Sequence, residues 1–291
     1  MLIGCYFCNI IGLSNNDLDD GGIKMAFPFK NQFNLYCKNE KKLSTNTIDL
    51  ANKSVNTFWN YYATGSDDPD INIVNETDIR NFLDSLETEL KFKKNTINKY
   101  LSHLKMYFTY LYSHQFIDNY PILTISGRNF SRKQTYKINW MDKLPQIAQI
   151  DNIHPETIKF MAAISLGYKP TEVLSLRLNT LLNGLKDEGL KQYLKNHTEF
   201  HGSDNPYIIS KKDGGHYASD FHIVQNIQPD KKLLGMPLTL QALRLSYVYS
   251  ILSDSKKTDE ELEEILRVNK RSLVYYRKNF LLYVNAEEFT L

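Results

Sequence analysis

Cysteine is scarce in this 291-residue chain, and its three copies, Cys5, Cys8 and Cys37, do not make a disulfide framework. Cys5 and Cys8 form a lone C-x-x-C with no second pair and no histidine at ligand spacing, so no metal site and no redox centre is expected. Long apolar runs are missing too: none reaches the roughly 18 residues that would span a bilayer. The first ten residues lack the basic flank and small-residue cleavage site of a signal peptide, which makes a cytoplasmic location without a membrane partner the expectation. No glycine-rich phosphate loop and no clustered carboxylate set is present, and therefore no cofactor is implied. With 13 Gly and 9 Pro the chain is poor in turn residues, whereas 19 Tyr and 15 Phe supply the bulk of a compact helical core.

The length exceeds a single domain of roughly 100–200 residues, so two domains are expected. The net charge of +2 is uninformative, but its distribution is not. Residues 25–125 carry 11 basic and 11 acidic side chains and residues 138–291 carry 19 of each, while residues 126–137 carry 4 basic and no acidic ones. Arg128, Arg132, Lys133 and Lys137 thus form a basic linker between two neutral blocks. Such a segment either lies on phosphates or is a solvated loop. Residues 1–24 are polar and acidic after a short apolar start, which reads as a disordered or dispensable extension with Met25 an alternative start.

Apolar positions in the first block recur at helical spacing. Thr47–Tyr62 puts Ile48, Val55, Phe58 and Trp59 on one face, capped by Ser44 or Asn46. A polar loop, TGSDDPDIN, leads to a second helix in which Asn75 to Asp78 supply the start and Ile79, Phe82, Leu83 and Leu86 the face. A third helix over Asn95–His114 buries Ile97, Leu101, Leu104, Phe108 and Leu111, and Asn119, Tyr120 and Pro121 close the block. Lys91, Lys93, Lys94, Lys99 and Lys105 gather at and along this third helix, as a solvated face or a phosphate-binding one.

The order of these segments resembles the core-binding domain of tyrosine recombinases, the phage integrase family. Asp78, Ile79, Phe82, Leu83, Thr96, Ile97, Asn98, Leu101, Ser102, Leu104, Phe108, Leu111, Asn119 and Pro121 carry the match. The resemblance implies a mainly α, two-domain clamp around duplex DNA, with a helical core-binding domain over 25–125 and a mostly helical catalytic-type domain over 138–291 containing little β structure. It also implies a homo-oligomer on DNA. Phosphate contacts by the five lysines and four linker cations would give affinity with little sequence information.

In the second block, SLGYKPTEVLSLRLNTL (165–181) resembles the family's first catalytic box, with Lys169 where the family has an arginine. A lysine offers phosphate a point charge in place of a planar fork. PLTLQALRLSYVYSIL (237–252) resembles the second box: Arg244 matches its arginine, and Gln241 stands at a histidine position, where it donates a hydrogen bond but carries no proton. The family's hairpin lysine has no counterpart, because 183–205 reads as a polar helix. Lys211 and Lys212 lie beyond it, and Gly214-Gly215 marks a turn. The last box, EEILRVNKRSLVYYRKNFLLY (263–283), offers Arg267 or Asn269 for its histidine or tryptophan, and Tyr276, ahead of Tyr275, as nucleophile.

The resemblance therefore implies a DNA strand-cleaving and rejoining protein with catalytic set Tyr276, Arg244, Lys169 and Gln241, no metal and no small-molecule cofactor. Its rival is an inactive DNA-binding regulator on the same scaffold. A helical protein-interaction module would leave the ordered boxes unexplained.

Overall fold

The computed structural model describes residues 26–65, 68–254 and 256–291, and they divide into two compact units, the first ending at Ser131 and the second starting at Arg132. The reading of residues 1–24, with Cys5 and Cys8, lies outside the described residues.

The first unit is helical: α1 (Lys30–Asn39), α2 (Thr45–Thr64), α3 (Glu76–Thr88) and α4 (Lys94–Ser113). Helix α2 starts where Ser44 accepts the Thr47 amide, and α3 starts on a reciprocal cap in which Asn75 takes the Thr77 and Asp78 amides while Asp78 takes that of Asn75. Their apolar stripes meet around Phe58, whose ring packs edge-on to Phe82 and Phe108 at 5.4 and 5.9 Å. Each such fully buried side chain contributes about 1.5–3 kcal/mol of transfer free energy. Helix α1, not anticipated from the sequence, packs Phe33 edge-on against Phe27 and Tyr107.

The second unit combines helices with two short strands. They are β1 (Gln134–Ile138), α5 (Leu144–Ile147), α6 (Pro155–Ser165), α7 (Pro170–Val173), α8 (Leu178–Gly184) and α9 (Glu188–Asn196). Then follow α10 (Phe221–Asn226), α11 (Gln228–Leu234), α12 (Leu240–Ser253), α13 (Asp259–Leu266), α14 (Lys270–Tyr283) and β2 (Val284–Glu288). Helix α12 is apolar nearly all round, as a central helix must be, and packs on β1, α6, α13 and α14. Trp140 anchors it, donating its indole N–H to Ser246 at 2.9 Å.

The two strands run parallel, from Gln134 opposite Val284 to Ile138 opposite Glu288, and Phe289 continues the pairing onto the Ile138 carbonyl at 2.9 Å. The second unit thus closes by joining its own beginning to its own end. Phe280, Val284 and Phe289 pack against the core of this same unit. Strand β1 also begins inside the segment read as a linker.

Candidate functional site

Three chain segments carry the sequence-derived residues to one place. At the end of α6 the chain turns at Gly167, with φ +80°, a conformation open to glycine at little cost. A Cβ there would also approach the Ile265 carbonyl oxygen to 2.9 Å. The turn delivers Lys169 to the start of α7, where its amide donates to Glu172 Oε2 at 2.7 Å and its side chain stays exposed. Thr239 caps α12 by accepting the Ala242 amide, placing Gln241 and Arg244 on the first turns. Asn269 caps α14 by accepting the Ser272 amide, and Tyr276 follows on that helix.

These segments border a cleft of about 250 Å³ lined by Lys169, Pro170, Gln241, Arg244, Val268, Asn269, Ser272 and Tyr276. All four residues of the expected catalytic set are therefore together. Tyr276 lines this cleft, whereas Tyr275 is 61% exposed and does not. Asn269 lines it too, while Arg267 pairs with Glu172 at 3.3 Å and lies 4.8 Å over the Tyr168 ring. That separates the two candidates for the last box.

Arg244 is not a surface arginine: only 3% of it is exposed. Its Nη1 donates to the Gly167 carbonyl at 3.1 Å and its Nη2 to that of Leu266, which fixes the guanidinium plane between two turns. Burial pulls its pKa down from the ordinary arginine value, opposed by the nearby Tyr247 and Tyr276 phenols and the Glu172 carboxylate. The cleft also receives the first turns of α12 and α14, whose amide-rich ends favour an anion. A permanent cation, an exposed lysine, two amides and two hydroxyls surround one small cleft, groups whose chemistry suits a tetrahedral oxyanion. Among the described residues no group of three His, Cys, Asp or Glu is arranged to hold a metal.

The region 183–205 contains α9 and no strand pair among the described residues, so no hairpin lysine reaches the cleft. Lys211 closes the Gly214 turn, its carbonyl accepting the Gly214 amide at 2.9 Å.

In the first unit Lys91, Lys93, Lys94 and Lys99 are exposed and Lys105 is half-buried. Lys93 and Lys94 open α4, whose first turn has no acidic residue. Cations there oppose the helix dipole. The cations of the 126–137 segment are differently placed. Arg128 binds Asp84 and, at 3.1 Å, Glu87, with Asn98 holding its backbone. Lys137 pairs with Glu287 at 2.9 Å across the strand register. Arg132 stands 5.7 Å over the Tyr283 ring, and Lys133 is exposed. The local charge excess is thus partly neutralised by carboxylates distant in sequence, which a count along the chain does not register.

Residues 31–115 match the phage integrase, N-terminal SAM-like domain family. The chain is also similar in fold to a lambda integrase dimer bound to a COC′ core site, with TM-score 0.58, 13% identity, and 87% of this chain and 95% of that one covered. The integrase of the Tn1549 transposon, in complex with a circular intermediate DNA, gives 0.58 and 14% over 89% and 95%. Residues 31–115 thus match the N-terminal domain of that family, and the chain as a whole shares the fold of these integrases. A lambda integrase tetramer bound to a Holliday junction extends the likeness to 96% of this chain, at TM-score 0.59 and 12% identity. A search of curated protein sequences returns no match. Among the described residues no helix is long and apolar enough to cross a membrane.

Proposed function

We propose that this chain is a tyrosine recombinase that cleaves and rejoins duplex DNA through Tyr276, in site-specific recombination or integration. The observation that carries the reading is the convergence of Lys169, Gln241, Arg244, Asn269, Ser272 and Tyr276 on one cleft. A backbone phosphate bound there meets the Arg244 charge and the Lys169 ammonium. The Tyr276 hydroxyl oxygen attacks phosphorus, the phosphorus–O5′ bond breaks, and the chain is held as a 3′-phosphotyrosyl ester. The phenol proton leaves to solvent and the departing O5′ takes one from water, because Gln241 carries no transferable proton. Attack by a 5′ hydroxyl reverses the step and restores Tyr276, with no external energy source.

Affinity comes from Lys91, Lys93, Lys94 and Lys99 on the first unit, with Lys105 behind them, and from Arg132 and Lys133 at the start of the second. Assembly of several copies on DNA, as in the lambda integrase dimer and tetramer, belongs to the same proposal.

A second reading has an observation in its favour. Arg244 already spends two N–H groups on carbonyls, and neither a histidine nor a hairpin lysine stands at the cleft. The same scaffold then binds DNA as a regulator without cutting it. Incubation with a nicked suicide substrate carrying the attachment site separates the two. A covalent adduct that Tyr276→Phe abolishes supports cleavage; retardation of the DNA without an adduct leaves only the regulator.

A further inference from the structure

Beside the phosphate cleft lies a second recess, of about 310 Å³, whose walls are Tyr136, Tyr249, Tyr275, Tyr276 and Tyr283. It shares Gln241 and Tyr276 with the cleft. From this adjacency we infer that the recess binds an unstacked nucleobase, the one belonging to the nucleotide whose phosphate occupies the cleft. The inference rests on the phosphate reading above and adds the base.

The walls are aromatic and held in place. Tyr249 is 3% exposed, meets Tyr136 edge-on at 4.9 Å and stacks on Phe280 at 5.9 Å. Tyr275 stands edge-on to Tyr276 at 5.6 Å, and Arg132 covers the Tyr283 ring. Such rings accept any base by its π-face, and an arginine over one of them adds a cation for the same purpose. The polar lining is of the kind that reads base edges: the amides of Gln241 and Asn279 each offer a donor and an acceptor. A base is separated from its own phosphate by a single sugar, so two recesses with a common wall suit one nucleotide. A purely apolar occupant would leave those amides unpaired.

The whole protein is titrated with 2-aminopurine deoxyriboside 5′-monophosphate, whose fluorescence falls when the base stacks, and with deoxyribose 5-phosphate as competitor. The nucleotide binds about tenfold more tightly than the sugar phosphate, with quenching. Tyr283→Ala removes the preference and the quenching while leaving the sugar phosphate affinity in place. Tyr275→Ala, at an exposed position, does the same to a smaller degree and guards against loss of fold. Equal affinities for the two ligands, or quenching indifferent to both substitutions, overturns the nucleobase site. The phosphate reading fails separately, if Lys169→Ala leaves the binding of both ligands unchanged.

Discussion

Arg244 on α12 donates to the carbonyl of Gly167 at 3.1 Å, tying the buried guanidinium to the turn that presents Lys169. The two cationic groups of the cleft are therefore positioned by one another's segments. Gly167→Ala tests this tie. A side chain at φ +80°, facing the Ile265 carbonyl, costs about 1–3 kcal/mol. Thermal denaturation should show the loss, and the surviving folded protein should bind DNA normally but cleave it more slowly.

Replacing Arg244 itself separates charge from shape. Arg244→Lys keeps a cation but gives up the fork that reaches Gly167, Leu266 and a phosphate together. Adduct formation is expected to fall about 100-fold, the scale set by removing one preorganised donor from a transition state. A rate within a factor of two of the native one would show that Arg244 is only a structural pillar.

Lys169 offers the opposite experiment. It stands at an exposed position at the mouth of the cleft, so an arginine fits without repacking. Lys169→Arg should raise the cleavage rate about tenfold by supplying a bidentate phosphate grip. No change, or a decrease, would mean that the lysine does not touch the phosphate.

Much of the fold was legible because α2, α3 and α4 carry continuous apolar stripes and capping residues that act locally. Helix α1 escaped because its buried residues are only Phe33, Tyr36 and Cys37, set among polar neighbours. Strands β1 and β2 escaped for a different reason: β2 is largely exposed and has no alternation, and its partner is about 150 positions away in the register Lys137 to Glu287. The same distance effect hid the pairing of Arg128 with Asp84 and Glu87. At the site, Lys169, Gln241, Arg244 and Tyr276 were found through the resemblance alone. The choice of Asn269 over Arg267 needed geometry, since only the structure shows Arg267 turned to Glu172.

Away from the cleft, Asp230 is 1% exposed and accepts the His154 amide, the His154 ring N–H and the Thr157 hydroxyl, so it caps α6 from α11. Asp230→Ala leaves the buried Thr157 hydroxyl and the half-buried His154 donors without their acceptor and should cost about 1–3 kcal/mol. Chemical denaturation measures it. A loss under 1 kcal/mol would show that the cap is dispensable.

The first unit's lysines make a quantitative prediction about salt. Binding weakens with salt in proportion to the phosphates neutralised, so removing one contact lowers the slope of log K against log salt by about 0.9. Lys93→Ala and Lys94→Ala together should lower it by about twice that, uniformly across DNA sequences. An unchanged slope would place the DNA elsewhere.

Identifying the tyrosine that becomes covalently joined to DNA tests the account most directly. The adduct trapped on a nicked substrate is digested with protease and nuclease, and the modified peptide is sequenced by mass spectrometry. The account predicts the nucleotide remnant on Tyr276, the tyrosine that lines the cleft with Arg244. A remnant on Tyr275 or any other residue, or DNA bound at full occupancy with no modified peptide, would contradict it.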